Sequence, residues 1–234
     1  MHDIHPVIEA VLFDLDNTLL DRDRGFDSFC KSLYHNNSII GDSHTEEEAV
    51  NLITLFDSKS KRSRQVMLTE LMGQWPGVFQ NLNEAVSFYE SNYPKMLTLE
   101  SSTRTLLQDL RKSGVPSAIV TNGDVLLQTN KVRESGLRNL VEATVISEGV
   151  GVQKPNKKIF EKALSLINAS PPSTLFVGDT PEADILGAKN VGMVTAWVHR
   201  NRAWPLNNLR PDYMINHVSD IRNLILPQFG KIDS

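Results

Sequence analysis

The spacing of apolar residues changes twice along the chain. Residues 8–13 (Ile-Glu-Ala-Val-Leu-Phe) form a short, mostly apolar run that ends at Asp14. Such a run reads as a strand buried inside a parallel sheet. From about residue 22 to 95 the spacing is helical. Phe26, Phe29, Cys30 and Leu33 recur at i, i+3, i+4 and i+7, Val66, Leu68, Leu71 and Met72 mark a second helix, and Val86 and Tyr89 a third. Asp42-Ser43 signals a helix start, and Thr45 with Glu48 three residues on has the spacing of a capping box. Trp75-Pro76-Gly77 reads as a break between helices. After about residue 96 the two patterns alternate. Helical stretches at 103–113, 125–135, 155–167 and 182–190 each lead into an apolar run, at 117–120, 143–146, 174–177 and 193–198. Gly114, Gly136 and Gly192 fall where helices end. This alternation predicts βαβ units with right-handed crossovers. The expected fold is α/β: a doubly wound, mostly parallel, Rossmann-like sheet built from residues 1–20 plus 96–234. An all-helical domain, residues 21–95, interrupts it after the first strand.

In an open α/β sheet, ligands bind beyond the carboxyl ends of the strands. The first apolar run is followed by Asp14-Leu15-Asp16-Asn17-Thr18 and the second by Thr121-Asn122-Gly123-Asp124. The third leads through a glycine-rich stretch to Lys154-Pro155. The fourth is followed by Gly178-Asp179-Thr180-Pro181-Glu182-Ala183-Asp184. Taken singly, each piece has a bland reading. Asp-x-Asp after a strand is a common turn, Asn-Gly-Asp a turn with a helix cap, and Lys-Pro a helix start. Their conjunction at one edge, in this order, is what calls for a functional account.

Asp14, Asp16, Asp179 and Asp184 would repel one another and raise one another's pKa values. A hard divalent cation relieves that repulsion, and carboxylates with water suit Mg²⁺, which also takes phosphate oxygens. The Thr121 hydroxyl, nearby backbone N–H groups and the Lys154 ammonium would then hold the remaining phosphoryl oxygens.

These four motifs resemble those of the haloacid dehalogenase-like hydrolases, in particular the phosphatases with a helical cap inserted after the first strand. The motifs stand here as Asp14-Leu15-Asp16-Asn17-Thr18, Thr121-Asn122, Lys154-Pro155 and Gly178-Asp179 with Asp184. The resemblance covers the core, while the insert matches in position, size and helical character. It implies that Asp14 is the nucleophile and forms an aspartyl-phosphate. Asp16 would protonate the leaving oxygen and then accept a proton from the attacking water. Mg²⁺ would be held by Asp14, the backbone carbonyl of Asp16 and Asp179. Thr121 and Asn122 would grip the phosphoryl group, Lys154 would stabilise its charge, and Asp184 would orient Lys154 or a water on the metal. Dehalogenases of the family need no acid at the second position of the Asp-x-Asp pair and use no metal, so Asp16 favours phosphoryl transfer. A phosphomutase would need a cap that turns its intermediate around, and no feature of the sequence demonstrates one.

Composition narrows the picture further. The chain has 234 residues, 40% hydrophobic and 22% charged, and a formal charge of −4. The acidic balance disfavours a nucleic-acid partner. No apolar run approaches the roughly 20 residues of a membrane span. The single cysteine, Cys30, allows no internal disulfide and suits a cytoplasmic setting. The expected partner is a small phosphorylated metabolite, acted on by a monomer or homodimer. A signalling receiver module also joins an acidic pocket, a hydroxyl and a lysine, but it would be about half this length and lack the insert. A catalytically dead scaffold would have lost Asp14, Asp16, Lys154 or Asp179. In the insert, Lys59, Lys61, Arg62 and Arg64 could grip an anionic substrate, although a solvated helix start accounts for them better. Arg22 and Arg24 could line the entrance to the cap, with hinges near residues 19–22 and 94–98.

Overall fold

The computed structural model describes residues 7–58 and 63–225. The chain divides into two compact units, Met1–Leu20 with Leu99–Ser234 and Asp21–Thr98. The first is built on six parallel strands: β1 (Ala10–Phe13), β2 (Ser117–Thr121), β3 (Ala143–Ile146), β4 (Thr174–Gly178), β5 (Val194–Val198) and β6 (Tyr213–Ile215). Their spatial order is β3-β2-β1-β4-β5-β6. The chain therefore winds outward from β1 on one side and returns to build the other half beside it. That reversal between β1 and β4 is a topological switch point, where such sheets open a crevice for ligands.

Register fixes the residues at the crevice. Phe13 pairs with Ile119 on β2 and with Val177 on β4. Asp14, Thr121 and Asp179 thus emerge at the same edge within about one residue of each other. All of β1, β2 and β4 is buried, which is why these strands read as continuous apolar runs rather than alternating ones. Against one face, the Phe160 ring meets Phe176 edge-on at 5.1 Å. A Cβ at Gly187 would lie 2.6 Å from Phe160, so the glycine lets the chain pass close to that ring.

Two elements differ from expectation. Beyond the last apolar run read from the sequence, Tyr213–Ile215 adds a sixth strand at the sheet edge. Only Ile215 of its three residues is buried, so it leaves almost no apolar signal. The stretch 182–190, expected to be one helix, is a π-helical turn over Pro181–Leu186 followed by a single α-turn, Gly187–Lys189. Such wide turns often occur at functional sites, and this one carries Asp184.

The helical unit contains α1 (Arg22–His35), α2 (Glu46–Asp57), α3 (Arg64–Gln74) and α4 (Leu82–Asn92). Thr45 and Glu48 close a reciprocal capping box at the start of α2. The core is aromatic: Phe29 meets the edges of Tyr89 and Tyr93 at centroid distances of 5.1 and 5.9 Å. Those contacts place the turn at Tyr93–Met96 in this unit. On α3 the buried positions are Met67, Leu68 and Leu71, while Val66 faces outward. The inward face keeps Leu68 and Leu71 of the expected set and takes Met67 in place of Val66. Arg22, read from the sequence as an entrance residue, is buried, and one guanidinium nitrogen donates to both Asp57 oxygens at 2.7 and 2.6 Å. Asp21 caps α1 by accepting from the Arg24 backbone N–H. Lys59, Lys61 and Arg62 lie outside the described residues. Arg64 is not a solvated helix-start residue: its side chain is largely buried and pairs with Glu90 at 3.1 Å. Among the described residues, no helix is long and apolar enough to cross a membrane.

Candidate active site

The site is assembled from five chain segments at the carboxyl edge of the sheet. Asp14 is the first residue after β1. Its backbone N–H donates to the Val177 carbonyl at 2.9 Å, which prolongs the ladder and fixes the side chain at the crevice. The chain then folds back sharply. Leu19 and Leu20 both donate to the Leu15 carbonyl, and Asn17 sits at φ 60°, a conformation asparagine tolerates better than most residues. This turn carries Asp16, and the Thr18 hydroxyl donates to Asp14 Oδ2 at 3.3 Å.

Lys154 reaches the same point from the segment after β3. Its Nζ donates to Asp14 Oδ1 and Asp184 Oδ1, each at 2.7 Å, and to the Val120 carbonyl at 2.8 Å. These three bonds match the three donors of an ammonium. The Nζ also lies 5.5 Å from the centre of the Phe176 ring. Asn122 keeps the lysine in place: its Oδ1 accepts from the Lys154 backbone N–H at 2.8 Å and its Nδ2 donates to the Lys154 carbonyl at 3.1 Å. The Asn122 side chain is thus engaged with Lys154's backbone. Thr121 is buried at the end of β2, and its hydroxyl oxygen accepts from Gln128 Nε2 at 2.6 Å.

Asp179 and Asp184 come from the segment after β4. Asp184 Oδ2 accepts from the Thr180 backbone N–H at 2.9 Å while Oδ1 faces Lys154. The wide turn brings the carboxylate back over Gly178, where an added Cβ would overlap the Asp184 side chain. Gly178→Ala is therefore expected to destabilise the protein by about 1–3 kcal/mol, the usual range for overpacking. It should also displace Asp184 from Lys154, read as lost activity together with a lowered denaturation midpoint. Asp179 accepts from the Thr180 hydroxyl at 3.0 Å and pairs with Arg202 at 3.1 Å. Its carbonyl accepts from Trp197 Nε1 at 2.9 Å.

One carboxylate oxygen from each of Asp14, Asp179 and Asp184 lies within 4.8 Å of the others, and all three residues are buried. Burial pushes the Asp14 carboxyl up to about 7; Lys154 works against that rise and Asp184 reinforces it. Burial, then the charge on Asp14, lifts Asp179 to about 6. Asp184 is likewise raised, chiefly by burial. Burial alone would depress Lys154, but Asp14 and Asp184 outweigh it and hold the lysine above its ordinary value. Buried negative charge thus exceeds the compensation the lysine offers, and the donors are all hard oxygens. That combination fits a divalent cation of the Mg²⁺ type.

Asp16 stands apart from this acidic group. Both its oxygens face Lys131 Nζ, at 2.8 and 2.7 Å, and Oδ2 also accepts from Gln128 Nε2 at 3.2 Å. Sequence reasoning points to neither Lys131 nor Gln128, and does not name Arg202 as a partner of Asp179. For the first two a signal exists. They lie three apart on the helix that follows Thr121, a spacing that puts both on one face.

A carboxylate at the tip of the central strand, a lysine fastened to it and an acidic group at the switch point define the class: a parallel α/β protein with an aspartate-and-lysine site. The chain belongs to the haloacid dehalogenase-like hydrolases, whose family model matches residues 11–198. It is 31% identical to a glyceraldehyde 3-phosphate phosphatase of Pyrococcus furiosus over 194 residues, 81% of this chain and 80% of that one. It is 30% identical to the pyrimidine 5'-nucleotidase YjjG of Escherichia coli over 228 residues, 92% of this chain and 96% of that one. Among solved structures it superposes on the magnesium-bound HAD hydrolase YfnB of Bacillus subtilis with a TM-score of 0.73. That match covers 94% of this chain and 99% of that chain at 22% identity, and it bears on the fold alone.

Proposed function

We propose that the protein is a Mg²⁺-dependent phosphatase that hydrolyses a small phosphorylated metabolite through an aspartyl-phosphate on Asp14. The observation that carries this reading is the bridge made by Lys154 between Asp14 and Asp184, inside a group of three buried carboxylates. The matched relatives, named as phosphatases of a sugar phosphate and of nucleotides, agree with it.

Asp14 and Asp179, with the backbone carbonyl of Asp16, would hold the ion. When bound, it supplies positive charge to the phosphoryl oxygens during transfer. The protein's own groups do the rest. An Asp14 oxygen attacks phosphorus and the ester P–O bond breaks. Asp16 in its protonated form gives that proton to the leaving oxygen, so the alcohol departs neutral and Asp16 is left as the carboxylate. Lys154 compensates charge on the phosphoryl group, and the Thr121 hydroxyl, already accepting from Gln128, can turn its proton toward a phosphoryl oxygen. Asn122 acts through the lysine by holding its backbone. Water then attacks the aspartyl-phosphate, Asp16 takes a proton from it, and inorganic phosphate leaves with Asp14 regenerated. Asp184 fixes Lys154 through a further bond to the same ammonium.

The test is phosphate release from a broad panel of phosphomonoesters, including triose phosphates and pyrimidine nucleoside monophosphates, with Mg²⁺ and with EDTA. At least one ester should turn over, and chelation should lower its rate at least about a hundredfold, as loss of several kcal/mol of charge stabilisation would. No release from any member of the panel in Mg²⁺ would sink the proposal.

A further inference from the structure

We propose that Lys131 and Gln128 are positioning residues: they seat the Asp16 carboxylate that remains once its proton has passed to the leaving group, and so fix the geometry of that transfer. This rests on the phosphatase reading and deepens it. The sequence places Asp16 on the first loop, where only the short chain between Asp14 and Leu20 would restrain it. In the structure its carboxylate is instead held from a different segment, the helix Val125–Glu134, by partners 112 and 115 residues away in sequence.

The two donors divide the work. The Lys131 side chain is only 5% exposed against 25% for that of Asp16, and its ammonium spans both carboxylate oxygens. Charge-assisted bonds of this length fix the plane of the carboxylate as well as its place. Gln128 donates through Nε2 to Asp16, to Thr121 and to the Asn122 carbonyl. It therefore sets the distance between the proton-transfer group and the hydroxyl meant for the phosphoryl oxygens. Its Oε1 is buried with no hydrogen-bond partner among the described residues, which leaves an acceptor on that same amide for an O–H group.

The helix that presents both side chains is itself pinned. Asp124 caps it by accepting from the Leu127 backbone N–H at 2.8 Å, and Glu148 accepts from the Val125 N–H at 2.6 Å. Gly123, at φ 147°, leaves space where an added Cβ would lie 2.9 Å from Gln128 Cγ. A nearly buried lysine paired with a partly exposed carboxylate gives little net stability, because desolvation offsets the attraction. Orientation of Asp16 is what the arrangement supplies, and small misplacements of a catalytic group lower rates steeply.

The test compares kcat/KM for an alkyl phosphate and for 4-nitrophenyl phosphate, because kcat/KM covers the steps up to departure of the alcohol. An alkoxide needs its proton far more than nitrophenolate does. Lys131→Met should lower kcat/KM for the alkyl ester at least about tenfold more than for the nitrophenyl ester, within the range general acid catalysis supplies. Asp16→Asn should show the same skew, and Lys131→Arg, which keeps the charge, should recover most of the alkyl rate. Were Lys131→Met not to fold, Lys131→Gln read on the same two esters decides the matter. Equal losses on the two esters, or none, would overturn the positioning role while leaving the phosphatase reading intact. A wild-type protein inactive on every ester would defeat both.

Discussion

Asp14→Asn is expected to lower phosphate release on the order of 10⁶-fold, as loss of a covalent nucleophile does, while making the metal-free protein more stable at pH 8. The first effect arises from the missing oxygen nucleophile. The second arises from linkage. The Asp14 carboxyl is raised by burial to about 7 from an ordinary value of 3.8. Between those values the unfolded chain binds fewer protons at this site than the folded one. Stability therefore falls as pH rises through that window, and the full penalty is present above pH 7. At 1.36 kcal/mol per pKa unit it is on the order of 4 kcal/mol. An asparagine carries no such charge. In EDTA the variant's thermal midpoint should exceed wild type by several degrees at pH 8 and by less at pH 5, at roughly 2–4 °C per kcal/mol for a chain of this size. Mg²⁺ should narrow the gap at pH 8 by stabilising the wild type alone. A variant with wild-type turnover, or a midpoint difference that ignores pH, would contradict the assignment.

How much of this is legible in the sequence depends on how local the cause is. The strands β1, β2 and β4 are buried on both faces, so unbroken apolar runs mark them, and the polar residue that ends each run marks the site. Asp14, Thr121, Asp179 and Asp184 stand at or just past the ends of those runs, and Lys154 follows the less buried β3 at a distance. Tyr213–Ile215 escapes notice because an edge strand with one buried residue has no apolar run to show. The turn at Pro181–Leu186 carries helical spacing, yet Asp184 must reach back to the Thr180 backbone and to Lys154, and those two contacts are satisfied by a wider turn than an α-helix makes. Arg22 reads as lining the cap entrance and Arg64 as a solvated charge, because composition says nothing about partners. Asp57 and Glu90 lie 35 and 26 positions away in sequence, and only folding brings them close. The same holds for the grip of Lys131 on Asp16. The groups that gather at the strand ends are visible; most of their hydrogen-bond partners are not.

Lys154→Met is expected to act in the opposite sense on stability, and the contrast with Asp14→Asn has its origin in one charge balance. The lysine is buried and satisfies Asp14, Asp184 and the Val120 carbonyl at once. Methionine has similar length and no donor, so two buried carboxylates and a backbone acceptor lose their partner. Removing one member of a buried ion pair typically costs about 3–5 kcal/mol. The loss should be smaller at pH 5 than at pH 8. Asp14 and Asp184 already sit above their ordinary values, chiefly through burial, and without the lysine they take up protons more readily still, which removes the uncompensated charge. Turnover should fall at least about a hundredfold at either pH, since charge on the phosphoryl group is then no longer met by Lys154. Combining the two substitutions isolates the cause. In an Asp14→Asn background, which already lacks one of the carboxylates, Lys154→Met should destabilise the metal-free protein by less than it does in the wild type, a coupling that denaturant titration in EDTA can measure. Additive losses would mean that the lysine stabilises the fold by packing on Phe176 and its surroundings rather than by compensating Asp14. The site would then not be held together by opposing charges, and the excess of buried carboxylate would no longer explain why a cation belongs there.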